Sequence, residues 1–362
     1  MKSRQLKHWF KILSLTLIIV SLTSNAVLYA DVTAPLFQKG MSYVGWDRDC
    51  FASKYSDLSL KKLSEIGVEY VAICVTQYQE KHNSTKIKRT DQTPADFSIR
   101  HAIKTAHKLG MKVMLKPHID LIDKHDGTYW RADIGFTNEE DWQKWAVEYC
   151  KFIRHYAKIA EKLDVELFCI GTELAFAAQK NGIWEDMIIP EVKKVYSGKL
   201  IYAANWDNYK NIKFWKDLDY VGIDAYFPLT YKSNPTVEDI KTGWEKWKYD
   251  LEAWQKQINK PIIFTEIGYA STSHAASNPW QGGTFGNADI ETQAKCYKAF
   301  FESFEGSSWL AGVYWWRWNT NIYAGGKHNR QFTPQNKPAE KIIEARYKNM
   351  QDLNRTTIYI SS

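Results

Sequence analysis

Beyond its first thirty residues the chain alternates two kinds of segment. Short apolar runs rich in Val, Ile, Tyr and Phe are separated by longer stretches in which apolar residues recur every three or four positions. The short runs predict eight strands, at 40–45, 70–75, 112–116, 166–170, 200–204, 220–223, 261–265 and 311–315. The longer stretches predict helices. The clearest covers 137–163, with Trp142, Trp145, Tyr149, Phe152, Ile153, Tyr156 and Ile159 on one face, Thr137 as its cap, and Glu139 and Glu140 at its positive end. Residues 237–258 repeat the theme through Ile240, Trp244, Trp247, Leu251 and Trp254, and 94–109, 288–304 and 338–347 are similar. Strands that alternate with helices in this way are parallel and joined by crossovers, and eight such units close into a (β/α)8 TIM barrel of the α/β class. No G-x-G-x-x-G follows the first strand, which counts against a dinucleotide fold. No Pro/Ser-rich linker interrupts the pattern, so 36–350 reads as one domain with a tail at 351–362.

Composition changes this picture little. The 362 residues suffice for one barrel with insertions. The 16 Trp and 21 Tyr mostly suit a core, yet an excess of Trp also suits a protein that lays flat rings against sugar faces. Net charge is +7, of which Lys2, Arg4, Lys7 and Lys11 supply four; the +3 left over the body forms no basic stripe for nucleic acid. Those basic residues precede an apolar run at 12–22 and the small residues Ser24, Ala26 and Ala30. The segment 1–30 therefore reads as an export signal, giving a secreted or periplasmic protein, with an uncleaved membrane anchor as the alternative. None of the five Cys forms a C-x-x-C pair; Cys74 and Cys169 lie in strand-like runs as small core residues, and a disulfide through Cys50 or Cys296 stays open. No cofactor and no protein partner is implied.

In a barrel of this kind the residues just after each strand face the active site. Here those positions are polar or aromatic: Trp46, Asp47 and Arg48; Thr76, Gln77 and Tyr78; His118 and Asp120; Thr172 and Glu173; Asn205, Trp206 and Asp207; Asp224 and Tyr226; Glu266 and Tyr269; and Trp316, Arg317, Trp318 and Asn319. Two segments, L-F-C-I-G-T-E-L (167–174) and P-I-I-F-T-E-I-G-Y (261–269), are apolar strands that each end in a lone Glu. A carboxylate at a half-buried rim is costly unless it is paired, hydrogen-bonded or useful. One such Glu is as readily a rim ion pair as a catalytic group. Two of them, on strands facing each other across the mouth and ringed by aromatics, favour catalysis. Glycosidic cleavage needs this pair: one acid to protonate the leaving oxygen, and one carboxylate to attack or to activate water.

A Glu at the end of strand 4 and another at the end of strand 7 resembles the clan A glycoside hydrolases. Within the clan, G-T-E-L-A (171–175), F-T-E-I-G-Y (264–269), V-Y-W-W-R-W (313–318), G-M-S-Y (40–43) and K-P-H (116–118) resemble glycoside hydrolase family 113, known for β-1,4-mannanases. The resemblance spans roughly 36–350. It implies retention of anomeric configuration through a covalent intermediate, with Glu173 as acid/base and Glu266 as nucleophile. Many clan members place Asn before the acid/base to bind the sugar 2-hydroxyl. Here that position is Thr172, which leaves the contact to its hydroxyl or to another residue such as Asn205.

Tyr226 is a candidate donor to Glu266, and Trp316 a candidate platform beneath the sugar, with Trp315 pointing the other way by strand alternation. Trp46, Trp206 and Trp280 are candidates for further subsites, and His118, Asn205 and Asp224 for sugar hydroxyls; core packing is the competing reading for each Trp. The run from His118 through Asp120, Asp123 and His125 to Asp126 invites a metal reading, but strand 1 reads G-M-S-Y where barrel metallohydrolases often carry H-x-H, so no metal is expected. Mannan-type polysaccharide or oligosaccharide is the expected substrate. The alternatives are a β-glucanase or exo-β-mannosidase on the same barrel, and a carbohydrate-binding barrel without catalysis.

Overall fold

A computed structural model describes residues 37–360 apart from 181 and 285, so the candidate signal at 1–30 lies outside the described residues. Eight parallel strands close in sequence order: β1 (Gln38–Val44), β2 (Tyr70–Gln79), β3 (Lys112–Leu121), β4 (Leu167–Thr172), β5 (Lys199–Asn205), β6 (Val221–Asp224), β7 (Ile262–Ile267) and β8 (Leu310–Asn319), with β8 pairing back to β1. Several strands overrun their sequence-based ends. His118 and Asp120 are inside β3, and Trp316 to Asn319 are inside β8, because the ladder continues into polar residues that hydropathy alone does not mark as strand.

The helices are α1 (Lys54–Glu65), α2 (Asp96–Lys108), α3 (Glu139–Lys162), α4 (Ile189–Lys193), α5 (Val237–Ile258), α6 (Ile290–Phe304) and α7 (Pro338–Ile360). Helix α3 is capped by Asn138, whose side chain accepts from the backbone N–H of Asp141, and not by Thr137. Helix α7 continues to Ile360, through most of the stretch read as a tail. Between β5 and β6 there is no α-helix. Two 3-10 turns, Tyr209–Asn211 and Phe214–Asp217, make the crossover, with Phe214 and Trp215 buried in place of a helix face. All five cysteines are free thiols, including Cys50 and Cys296.

The strands sort their side chains into two populations. Ala72, Met114, Leu167, Cys169, Ile201, Ala203, Ile263, Ala311 and Tyr314 fill the lower lumen, while the alternate residues pack outward on the helices. Trp315 is one of the outward set and stacks on Tyr297 of α6 at 4.0 Å. This apolar floor fixes the strand ends that carry the site.

Candidate active site

Strands β4 and β7 both shift register where they approach the mouth. On β4 the shift falls between Cys169 and Thr172, and a side chain at Gly171 would run into Trp184 and Tyr202 on the helix side. The chain then turns at Glu173 with φ of 54°, a left-handed conformation that costs a non-glycine residue roughly 1–3 kcal/mol. Backbone bonds hold it there: the Glu173 N–H donates to Ala203 O at 2.8 Å, and the Leu174 N–H donates to the Tyr202 hydroxyl at 3.0 Å. On β7 the shift falls between Phe264 and Ile267, so that Thr265 and Glu266 both find partners on the lumen side. Gly268 follows because the Trp316 carbonyl oxygen would lie 2.4 Å from any Cβ there.

The two carboxylates line one cleft of about 530 Å³. Around them stand Arg131, Asn205, Tyr226, Trp316 and, further out, Trp130, Trp206, Trp280 and Phe332. Trp206 and Trp280 lie nearly parallel, 5.8 Å apart. Trp130 and Trp280 are exposed, as aromatic platforms for a long ligand would be.

The two groups have different surroundings. Glu266 Oε1 accepts from Lys116 Nζ at 2.6 Å, and Oε2 accepts from the Tyr226 hydroxyl at 2.7 Å. Burial and the neighbouring carboxylates push the Tyr226 hydroxyl well above its ordinary value, so it remains a donor. Lys116 is fully buried; its own desolvation is outweighed by Asp224 and Glu266, which raise it and keep it a cation. Glu173 accepts from Arg131 Nη1 at 3.0 Å. Burial, assisted by the negative charge of Glu266, pushes the Glu173 carboxyl up to about 7 against the pull of Arg131 and Lys116. Arg131 is held in turn by Asp120, which lies 3.6 Å away and also accepts from Lys124 at 3.1 Å.

The structure brings Glu173, Glu266, Asn205, Trp206, Tyr226 and Trp316 to one cleft, and leaves four of the sequence candidates outside its wall. Thr172 is buried with its hydroxyl 3.8 Å from the Cys169 sulfur, because the extra residue in β4 turns it into the lumen; Asn205 is the amide that faces the cleft. Asp224 is fully buried beneath Glu266, where it accepts from Thr265 at 2.8 Å and Lys116 at 3.3 Å, so it positions charge and does not reach sugar. Burial pushes its carboxyl well above the usual range, with Glu266 adding to the effect. His118 is buried below Trp316, their rings 6.2 Å apart; desolvation and the cations Lys116 and Arg131 hold it well below its ordinary value, hence neutral. Trp46 lines a separate pocket beside the cleft.

Sequence reasoning missed Lys116 as a partner of the nucleophile candidate, and missed Arg131, Thr265, Trp130 and Phe332. A signal existed for Lys116. It interrupts V-M-L-K-P-H two residues after Met114, on the lumen side of an otherwise apolar strand. Arg131 carries no such mark, since only the folded β3–α3 loop brings it to Glu173.

A closed parallel barrel with two buried carboxylates at the ends of β4 and β7, in an aromatic-walled cleft, defines a barrel glycoside hydrolase. The sequence matches the family model of Glycoside Hydrolase Family 113 over residues 41–337, and the chain belongs to that family. Among solved structures, a family 113 β-1,4-mannanase is 30% identical, with a TM-score of 0.78 over 86% of this chain and 99% of that one. A family 113 β-mannanase from Alicyclobacillus acidocaldarius, in complex with ManMIm, has the same TM-score at 24% identity, over 87% of this chain and 98% of that one. A β-glucuronidase from Ruminococcus gnavus, 12% identical with a TM-score of 0.56 over 86% of this chain and 50% of that one, shares the fold alone. Comparison with curated proteins finds no match.

Proposed function

We propose that the protein is a retaining β-1,4-mannanase with Glu173 as acid/base and Glu266 as nucleophile. The observation that carries this reading is the unequal treatment of the two carboxylates in one cleft. Glu173 is pushed up to about 7 and so holds a proton near neutrality, while both oxygens of Glu266 accept hydrogen bonds, one of them from a cation. In the first step Glu266 attacks the anomeric carbon. The bond to the leaving sugar breaks, and Glu173 gives its proton to the departing oxygen. In the second step Glu173 takes a proton from water, whose oxygen attacks the same carbon and releases Glu266. Tyr226 and Lys116 hold the nucleophile in place, and Trp316 supports the sugar at the cleavage point. The mannan substrate is supported by family membership and by the β-1,4-mannanase activity of the 30% identical relative.

The test is hydrolysis of mannan, glucomannan, cellulose and xylan by wild type and Glu266→Ala, with product anomers read by NMR. Mannan is expected to be the preferred polymer, with retained configuration and a loss of roughly 10⁴-fold or more in the variant. Unchanged turnover in Glu266→Ala removes the nucleophile role, and cleavage of cellulose in preference to mannan replaces the substrate. The basic, apolar start of the chain further supports export to where such polymers are met; fractionation of producing cells checks it, and a wholly cytoplasmic product excludes it.

A further inference from the structure

Beside the catalytic cleft, between the upper ends of β1 and β8, lies a second pocket of about 280 Å³, of a size for one sugar ring. The two are joined through consecutive residues: Trp316 lines the cleft and Arg317 lines the pocket. The Arg317 guanidinium lies over the Trp46 ring at 4.5 Å from its centroid and 5.9 Å from that of Trp316. It makes no hydrogen bond or ion pair with any described residue, and its Nε is buried without an acceptor. Burial lowers its pKa, only partly offset through space by Tyr226 and Glu266, and the Glu266 carboxylate already has Lys116 as its partner. The pocket's own carboxylate, Asp47, is exposed and accepts from the Asp49 backbone.

A buried lysine stands behind the same wall, its ammonium pushed down to about 7 by burial. Lys337 is buried and donates to Asn329 Oδ1 at 3.1 Å, Gln331 O at 2.9 Å and Ser271 Oγ at 2.6 Å, all neutral acceptors. Asn329 and Gln331 line the pocket. A planar guanidinium without a carboxylate partner, lying over an aromatic ring at the pocket wall, makes a receptor for a planar anion. On a polysaccharide-cleaving enzyme, the planar anion that arrives attached to a sugar ring is a carboxylate.

We propose that this pocket is an acidic-sugar subsite, in which Arg317 binds the carboxylate of a uronate unit carried next to the sugar being cleaved. The inference rests on the polysaccharide-cleaving reading above and deepens it: the preferred substrate carries uronate units. The Trp46 ring supports the guanidinium from one side, and Asn329 and Gln331 line the pocket where ring hydroxyls would lie.

The test titrates the intact protein with a glucuronosyl-mannose disaccharide and with glucosyl-mannose, which differ only at the carboxylate, following tryptophan fluorescence at low and high salt. The acidic disaccharide is expected to bind at least tenfold more tightly. The difference should shrink with added salt, vanish in Arg317→Gln and survive in part in Arg317→Lys. Equal affinities in the wild type, no binding of the acidic sugar at millimolar concentration, or an unchanged preference in Arg317→Gln overturns the proposal. If Arg317→Gln does not fold, the salt dependence and Arg317→Lys decide in its place. Mannan cleavage separates the two readings. Cleavage without uronate preference removes this subsite alone, and uronate binding without cleavage removes the mannanase reading alone.

Discussion

The lower and upper halves of the barrel lumen are built from the same eight strands and behave as different materials. The lower half is apolar, from Met114, Leu167, Cys169, Ile201 and Ile263 to Tyr314. Charges at that end sit at the rim in half-exposed pairs, such as Glu166 with His107 and Asp219 with Lys199. Two residues further along the strands, Met114 gives way to Lys116, and the lumen holds Lys116, Asp224, Thr265 and Glu266 in one dry network. Polar atoms are left without partners there, Asp224 Oδ2 and His118 Nε2 among them. Buried polar atoms without partners occur in the outer core too, at Trp244, Tyr297 and Trp315, but there they are neutral ring and hydroxyl groups, whereas here they belong to ionisable side chains. The floor supplies rigidity, and the layer above it spends some of that stability on charges held where a reacting sugar will need them.

The largest effect should come from breaking the charged layer. Lys116→Met removes the cation between two buried carboxylates, and unpairing a buried charge costs about 3–5 kcal/mol. Chemical unfolding should show that loss, together with near-complete loss of turnover. A variant with wild-type stability would mean that the network holds less charge than its geometry implies.

Next comes Glu173→Gln, expected to lower kcat by about 10²–10⁴-fold if Glu173 is the proposed general acid. The wild-type kcat/KM should fall as pH rises through about 7, because the protonated acid is the working form. Stability follows the same sign. A carboxyl raised in the folded state contributes stability that is present at acid pH and is lost as pH rises through about 7. Glu173→Gln should flatten that decline, which urea unfolding at pH 5 and pH 8 would read. A smaller effect should follow Arg131→Met. Removing the cation that pulls Glu173 down moves the alkaline limb of the rate profile to higher pH; a shift to lower pH would assign Arg131 some other role.

The sequence made the floor legible and the charged layer only partly so. Alternating apolar residues announce a strand, so all eight were found, but the same rule stops at the first polar residue and cut β3 and β8 short of His118 and Arg317. Glu173 and Glu266 stood out because each ends an apolar run. Thr172 reads as a substrate contact because it precedes Glu173 where the resembling enzymes carry Asn, and Asp224 because it ends a strand; the register shift that turns Thr172 inward, and the Lys116 bond that claims Asp224, are tertiary facts. The same holds for Arg131, which reaches Glu173 from a loop 42 positions away in the chain. Helix α3 was visible from its stripe, while its cap slipped by one residue because Thr137 and Asn138 are both good caps and only geometry chooses.

The smallest effect tests the boundary between the two layers. Ile201 pairs with Cys169 across β4 and β5, just below the register shift that leads to Glu173, and it is fully buried in the apolar cluster. Ile201→Val removes one methylene there, which costs about 0.5–1.5 kcal/mol of stability. If the floor acts only as a rigid base, kcat/KM on mannan should not change, because the turn at Glu173 is held by Ala203 O and, through the Leu174 N–H, by the Tyr202 hydroxyl, two residues and one residue above the substituted position. A tenfold loss of activity at unchanged pH profile would show that the left-handed turn at Glu173 depends on packing beneath it. The two halves of the lumen would then be one mechanical unit, with the floor setting the geometry of the acid as well as bearing its cost.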